Sequence, residues 1–183
     1  EKPAEFVSDL AMIGIYYFKD GEALHQELNY LVDHAVIKSG EYQLPDALRR
    51  LTEKGTVFKP GEVQEWLDCG NKVVTIETNA RVLDYDQMDG KLIRSDSATI
   101  TQSVVIPPCY IGDGVVISNS VVGPHVSLGT GSVVQNSNIA NSIVQQNTII
   151  SHMNIADSMI GNHTKIQGKT NNISIGDYTE WHE

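Results

Sequence analysis

Aliphatic residues recur every 16 or 17 positions through the second half of the chain, and this period restricts the possible folds more than any other feature. One column is spaced by 17, 17, 16 and 16 residues, a second by 16, 17 and 16, and a third by 17, 16 and 16. Three interleaved columns predict a three-sided coil, with turns stacked at the roughly 4.8 Å spacing of hydrogen-bonded strands. The columns are Ile100, Ile117, Val134, Ile150 and Ile166; Ile106, Val122, Ile139 and Ile155; and Ile111, Leu128, Val144 and Ile160.

Residues between the columns fit such a coil. Four positions after each member of the third column the residue is small, as a narrow interior requires, namely Val115, Ser132, Thr148 and Thr164. Asparagines recur where the chain must turn a corner in left-handed or turn conformation: Asn119, Asn136, Asn141, Asn147 and Asn162. The repeat predicts about four turns, which become irregular at "GKTNNISIGD", as in a terminal cap.

The first 83 residues predict an α/β fold. Leu10 to Phe18, "TVFKP" and "VQEWL" have the composition of strands, and helices are predicted over 24–35, 44–55 and 71–83. These strands are too few for a self-sufficient sheet covered on both faces. Residues 84–99 are polar and contain the turn signal Asp89-Gly90, which is typical of a linker before a coil over 100–183.

Composition excludes several classes of function. The formal net charge of −10, with no run of Lys or Arg, argues against nucleic acid as a partner. No apolar stretch reaches the roughly 18 residues that span a bilayer, so we expect no membrane partner. Cys69 and Cys109 form neither a disulfide framework nor a CxxC metal site, which favours a reducing cytoplasm.

Four ordered motifs carry a resemblance to a known family. "EKP" at 1–3, "IGIYYF" at 13–18, "GEYQLPDAL" at 40–48 and "WLDCGN" at 66–71 resemble the sugar nucleotidyltransferases, specifically those of the glucose-1-phosphate thymidylyltransferase type. The resemblance implies a partial Rossmann-like nucleotidyltransferase domain, followed by a left-handed parallel β-helix of hexapeptide repeats. Handedness is implied by the resemblance alone, because crossover physics favours the right-handed form.

The resemblance also implies a reaction. Members of the family use Mg²⁺ as a cofactor to join a sugar 1-phosphate to a nucleoside triphosphate, and they release pyrophosphate. They carry a Gly-rich, Arg-containing loop in a nucleotide-binding half before the EKP motif, and these 183 residues have no such stretch. We therefore expect the C-terminal part of a longer enzyme, inactive by itself.

Asp68 is the metal ligand that the motif match implies. Magnesium takes oxygen ligands, commonly one or two carboxylates together with substrate phosphates. In the sequence, Asp68 lies between the apolar residues Leu67 and Cys69. A carboxylate is costly to bury in such a setting unless it has a partner or binds a metal. The alternative to a metal ligand is a helix N-cap or a turn aspartate, because Gly-Asn and a predicted helix follow.

Other family residues map to substrate contacts. The resemblance implies that Lys2 contacts the sugar phosphate, that Glu1 and Glu41 accept hydrogen bonds from the sugar, and that Met12 and Gly14 line its pocket. Solvated residues at a terminus, and a buried strand at 10–18, are the alternatives for these positions. No protein nucleophile is expected, because transfer between two anions needs positioning and charge neutralisation.

One motif departs from the family pattern. The family's Thr-Asp is Pro45-Asp46 here, and the arginine that often precedes the glycine is Ser39, with Lys38 beside it. The phosphate contact at this point, and with it the choice of sugar, therefore stays open. The choice of nucleobase is open too.

Two other functions compete with the enzyme. The coil could be a structural or regulatory oligomerisation module of a non-catalytic homologue, and its flat faces and open ends predict a homo-oligomer. An acyltransferase is the third, because His125, His152 or His163 could act as a general base. Their differing offsets in the repeat favour surface or corner positions instead.

Overall fold

The chain divides into two compact units, Glu1–Trp66 and Leu67–Glu183. A computed structural model describes residues 9–10, 12–91 and 93–169. The first unit contains helices α1 (Gly21–Asp33) and α2 (Leu44–Glu53), and the second contains α3 (Lys72–Met88) and the strands β1 to β13. None of the helices in the described ranges combines the length and the apolar character needed to cross a bilayer.

Helices α1 and α2 pack together in the first unit. The Asp20 side chain caps α1 by accepting a hydrogen bond from the Ala23 N–H at 3.0 Å. Pro45 lies in the first turn of α2, and Gly55 follows the helix at φ +94°, both as the sequence predicts. Leu31 and Leu51 are buried. Val32 is exposed, although it falls on the apolar stripe that the spacing predicts for α1, formed by Leu24, Leu28, Leu31, Val32 and Ala35.

The predicted strands of the first unit are wrong. The described residues of 10–18, 56–60 and 63–67 form no strand, and Ile15 and Tyr17 are 78% and 89% exposed. Within the described part of this unit, β-pairing is limited to a bridge between Lys38 and Glu41. A strand needs neighbours for its main-chain groups, and local composition does not supply them. A partial Rossmann-like domain is therefore not confirmed.

Among the described residues of the second unit, thirteen short parallel strands form the predicted coil. They pair into three sheets, with strand orders β1-β4-β7-β10-β13, β2-β5-β8-β11 and β3-β6-β9-β12, so each strand pairs with the strand three places along the chain. The result is a parallel β-solenoid of about four turns, consistent with the left-handed β-helix that the resemblance implies.

The strands are only two or three residues long. Their bounds are β1 Thr99–Thr101, β2 Val104–Val105, β3 Cys109–Ile111, β4 Val116–Ser118, β5 Val121–Val122, β6 Val126–Leu128, β7 Val133–Gln135, β8 Asn138–Ala140, β9 Ser142–Val144, β10 Ile149–Ser151, β11 Asn154–Ala156, β12 Met159–Ile160 and β13 Lys165–Gln167.

The aliphatic columns are confirmed, apart from one member. The first and third columns pair in register as predicted, from Ile100 with Ile117 to Val144 with Ile160. In the second column Val105, not Ile106, pairs with Val122, and Ile106 is 40% exposed. Adjacent aliphatic residues at 104–106 conceal the register, because a one-residue shift exchanges inside for outside.

Buried hydroxyls connect successive turns of the coil. Ser120 Oγ accepts from the Ser137 N–H at 3.1 Å, and Ser137 Oγ accepts from the Met153 N–H at 3.0 Å. Each hydroxyl also donates to a carbonyl two residues earlier, at 2.7 Å in both cases. These side chains thereby satisfy main-chain N–H groups at a corner, where strand pairing is interrupted.

The predicted corner residues occupy strained or turn conformations. Four of the five asparagines have positive φ: Asn119, Asn136, Asn141 and Asn147. Asn162 lies in a turn and accepts a hydrogen bond from the Gln146 N–H at 3.0 Å. The three histidines also have positive φ, between 55° and 59°, so they are corner residues as expected. Cys109, which follows Pro107-Pro108, begins β3 and is buried.

Helix α3 belongs to the second unit and packs against β9. It continues to Met88, beyond the predicted end of the helix and into the stretch that the sequence predicts as a linker. The predicted domain bounds of 1–83, 84–99 and 100–183 stay a prediction, because compact units and family domains need not coincide.

Candidate functional site

Asp68 lies in a tight turn immediately before α3. The Gly70 N–H donates to Asp68 Oδ1 at 3.1 Å, and Thr78 Oγ1 donates to the Asp68 carbonyl at 2.6 Å. Asn71 caps the helix through its Oδ1, which accepts from the N–H groups of Val73 and Val74 at 3.0 and 3.3 Å. One side-chain oxygen and the main chain of Asp68 are therefore fixed by local contacts. We call residues 68–71 the Asp68 loop.

The setting of Asp68 differs from the prediction. Trp66 is 58% exposed, Leu67 is also exposed, and no strand precedes the aspartate in the described residues. Asp68 itself is half-buried, so the cost of desolvating its charge is modest. Of the local alternatives, the turn aspartate is present, while the N-cap is Asn71.

The Asp68 carboxylate can accept a metal ion on one side. Its Oδ2 makes no hydrogen bond to the described residues, and a Cβ at position 70 would lie 3.3 Å from that oxygen. Glycine at this position therefore leaves the carboxylate accessible. Magnesium keeps several waters and takes few carboxylates, so a single accessible oxygen fits one ligand position. The described residues contain no group of three His, Cys, Asp or Glu side chains that could hold a metal by themselves.

Glu41 is presented by a two-residue hairpin. The main chains of Lys38 and Glu41 exchange hydrogen bonds at 3.0 Å each, and Ser39 and Gly40 between them have φ of +51° and +86°. Positive φ at both central residues defines the turn type that favours glycine at the second position. The Glu41 side chain is exposed and could accept hydrogen bonds from a sugar.

Asp46 is an almost buried carboxylate near that hairpin. Its Oδ1 lies 3.0 Å from Arg49 and 4.0 Å from the Lys38 ammonium nitrogen, while its Oδ2 is buried without a hydrogen-bond partner in the described ranges. It lies in the first turn of α2, where the helix dipole favours a negative charge. Lys38, one of the residues at which the family pattern changes, is therefore held near the start of α2.

Met12 lines a pocket in the first unit, whereas Gly14 does not. The pocket has a volume of about 310 Å³ and is lined by Leu10, Met12, Ile13, Ile15, Tyr16, Leu48, Phe58, Lys59, Pro60 and Gly61. Gly14 is exposed and has φ of +83°, a conformation that other residues rarely adopt. The buried-strand alternative for both residues is wrong. Glu1 and Lys2 lie outside the described residues.

A charged cluster between α1 and α2 was not predicted. Glu27 is buried and accepts hydrogen bonds from Lys54 and, at 2.8 Å, from Arg50, whose guanidinium lies 3.4 Å from the centroid of the Tyr30 ring. The hydrogen bond from Lys54 and the contact with Arg50 lower the pKa of Glu27, against the opposing effect of burial. Its position between Leu24 and Leu31, within the apolar stripe of α1, was the signal available in the sequence.

Contacts between α3 and the coil were also not predicted. Ser127 Oγ of β6 donates to Asn79 Oδ1 at 2.6 Å, and His125 Nε2 lies 2.8 Å from Asp84 Oδ1. The two residues of each contact are more than forty positions apart in sequence. No local sequence pattern indicates such a contact.

The fold of the second unit defines a three-sided parallel β-helix protein with a carboxylate loop at the start of its packed helix. No protein-family model matches the chain. The chain is 30% identical over 200 residues to a glucose-1-phosphate thymidylyltransferase of Streptomyces griseus, which covers 98% of this chain and 54% of that relative. It is 28% identical over 129 residues to a protein of the same name from Streptomyces antibioticus, covering 62% of this chain and 34% of that one.

These relatives confirm the resemblance drawn from the four motifs. The chain is a relative of glucose-1-phosphate thymidylyltransferases, and through them of the sugar nucleotidyltransferases. It spans about half the length of the Streptomyces griseus protein.

Proposed function

We propose that the chain acts as the C-terminal part of a sugar-1-phosphate nucleotidyltransferase. The observation that carries the proposal is the similarity to the Streptomyces griseus thymidylyltransferase over 98% of this chain. The accessible oxygen of Asp68 and the exposed Glu41 supply the chemistry that the motif match assigns to them.

The proposed reaction joins two anionic substrates. A phosphate oxygen of the sugar 1-phosphate attacks the α-phosphorus of a nucleoside triphosphate, the bond to the bridging oxygen breaks, and pyrophosphate leaves. When bound, Mg²⁺ neutralises the phosphate charge and orients the attacking and leaving oxygens. The protein contributes positioning and electrostatics and needs no nucleophile of its own.

Each site residue has one task in this proposal. Asp68 supplies a carboxylate oxygen for the metal, and its turn through the Gly70 N–H keeps Oδ1 occupied so that Oδ2 is the oxygen offered. Glu41 and Glu1 accept hydrogen bonds from sugar hydroxyls, Lys2 neutralises the sugar phosphate, and Met12 lines the sugar pocket. The motif match assigns Gly14 to the same pocket, although Gly14 is not among the residues that line it in this structure. The nucleotide-binding residues belong to a part of the enzyme outside these 183 residues.

Pyrophosphate release tests the proposal. The reading frame that encodes the chain, extended upstream where it continues, would be expressed and given glucose 1-phosphate with thymidine triphosphate, and then other pairs. Asp68→Asn should lower the rate by about 10²-fold or more, because charge stabilisation at the transferred phosphate is lost. Glu62→Gln, the same kind of change at an exposed position, should retain the rate. Absence of pyrophosphate release with every substrate pair would overturn the proposal.

A further inference from the structure

The Asp68 loop is connected to the coil through two adjacent residues of α3. Thr78 donates its hydroxyl to the Asp68 carbonyl at 2.6 Å. The next residue, Asn79, accepts the Ser127 hydroxyl of β6 at 2.6 Å and makes a longer contact of 3.5 Å with the His125 carbonyl. Two side-chain hydrogen bonds, joined by the peptide bond between Thr78 and Asn79, therefore connect the coil to the main chain of the candidate metal ligand.

The hydrogen bond between Asn79 and Ser127 is one of the polar side-chain contacts between α3 and the coil. Asn79 and Ser127 are both partly buried, and each satisfies the other across the surface between α3 and the coil. A second contact, between Asp84 and His125, lies one helical turn or more further along α3, towards its C-terminal end. The Asn79 contact is thus the polar anchor nearer to the Asp68 loop, whereas the Asp84 contact holds the far part of the helix.

We propose that Asn79 is a positioning residue through which the β-helix fixes the Asp68 loop and so sets its affinity for a divalent cation. This inference rests on the proposed function for the metal role of Asp68, although the mechanical connection stands without it. Asn79 would act through Thr78 and the Asp68 carbonyl, without contact to the metal. The coil then contributes to the site by rigidity and not by ligands.

Backbone amide dynamics in the metal-free chain test the connection. Isotope-labelled protein of all 183 residues would be compared with Asn79→Ala and Ser127→Ala by ¹⁵N relaxation at Gly70 and Asn71. Both variants should lower the order parameters of the Asp68 loop, while amides of β7 and β10 keep theirs. Ser127→Thr retains the hydroxyl and should restore the wild-type values. Ser151→Ala removes a hydroxyl of β10, which makes no hydrogen bond to α3 within the described residues, and should change nothing in the loop.

Manganese titration then measures the consequence for the metal. Mn²⁺, a paramagnetic substitute for Mg²⁺, should broaden the Gly70 amide, and Asn79→Ala and Ser127→Ala should raise the apparent Kd by about fivefold, as expected for one lost hydrogen bond. Asp68→Asn should remove the broadening.

The outcomes separate the two proposals. Broadening that persists in Asp68→Asn contradicts the metal role of Asp68, while the relaxation data still decide the connection. Unchanged order parameters in both Asn79→Ala and Ser127→Ala, or a decrease that extends equally through the coil, would overturn the inference.

Discussion

At the scale of single residues, charge and burial decide which side chains are structural. Glu27 is buried but has two cationic partners, which compensate for the desolvation of its carboxylate. Asp68 is only half-buried and keeps one oxygen without a hydrogen bond in the described ranges. Two carboxylates of the same chain thus have opposite environments, and only Asp68 retains capacity for a further ligand.

The lowered pKa of Glu27 predicts an acid dependence of stability in the first unit. Because Lys54 and Arg50 favour the charged form in the folded state, ionised Glu27 stabilises the fold above its unfolded-state pKa. This contribution is lost as the pH falls through the lower pKa of the folded state. Glu27→Gln should therefore be less stable at neutral pH and lose less stability on acidification.

Urea unfolding followed by circular dichroism between pH 7 and pH 3 measures this difference. Glu53→Gln removes the same charge at an exposed position at the end of α2, where Glu53 has no cationic partner among the described residues. It should keep the wild-type pH dependence. Parallel pH profiles for wild type and Glu27→Gln would contradict the assignment.

At the scale of elements, the coil depends on apolar columns inside and on hydroxyl contacts at its corners. Ser137 is buried, accepts from the Met153 N–H and donates to the Gln135 carbonyl. Ser137→Ala leaves an N–H and a carbonyl of adjacent turns without these partners, which should destabilise the second unit by about 1–3 kcal/mol.

Denaturant unfolding of Ser137→Ala, with Ser118→Ala as the control, measures this loss of stability. Ser118→Ala changes an outward-facing serine of β4 whose side chain has no hydrogen bond recorded in the described residues. Its free energy of unfolding should stay within about 0.5 kcal/mol of the wild-type value, as for most surface changes. Equal destabilisation by both variants would mean that the hydroxyl contacts at the corners contribute little.

The elements also show how far the sequence determines the structure. The 16- and 17-residue spacing predicts the coil, its corners and two complete columns, because each turn repeats the same physical requirement. It fails at Ile106, where Val105 is the inward residue, since three adjacent aliphatic residues fit either register. The prediction of strands in the first unit is wrong for another reason. Composition can favour an extended chain, but it does not provide neighbouring strands with which that chain could pair.

The candidate site was predicted less completely than the coil. The motif match implies Asp68 and Glu41 as site residues, which stays a prediction, and the structure gives both a local geometry compatible with ligand binding. Asn79 and Ser127 were not found, because a contact between positions 48 apart in sequence depends on how α3 packs on the coil. No local composition or spacing in the sequence marks these two residues.

At the scale of the whole molecule, the expected partners follow from charge and from the relatives. A net charge of −10 disfavours nucleic acid, and the small anionic substrates of the proposed reaction would depend on local cations or a metal. The expected homo-oligomer stays a prediction. Exposed aliphatic residues on the outer faces of the coil, such as Val104 and Ile149, are where contacts between copies would be sought.

We expect the 183 residues by themselves to have no nucleotidyltransferase activity. The Streptomyces griseus relative is nearly twice as long as the region it shares with this chain, and the first unit has no strand in its described part. Asp68 offers one carboxylate, which by itself holds Mg²⁺ weakly. Glucose 1-phosphate and thymidine triphosphate should therefore give no more pyrophosphate with the wild-type chain than with Asp68→Asn. Release that depends on Asp68 would show that these residues contain a complete active site, because a contaminating enzyme would be indifferent to the substitution.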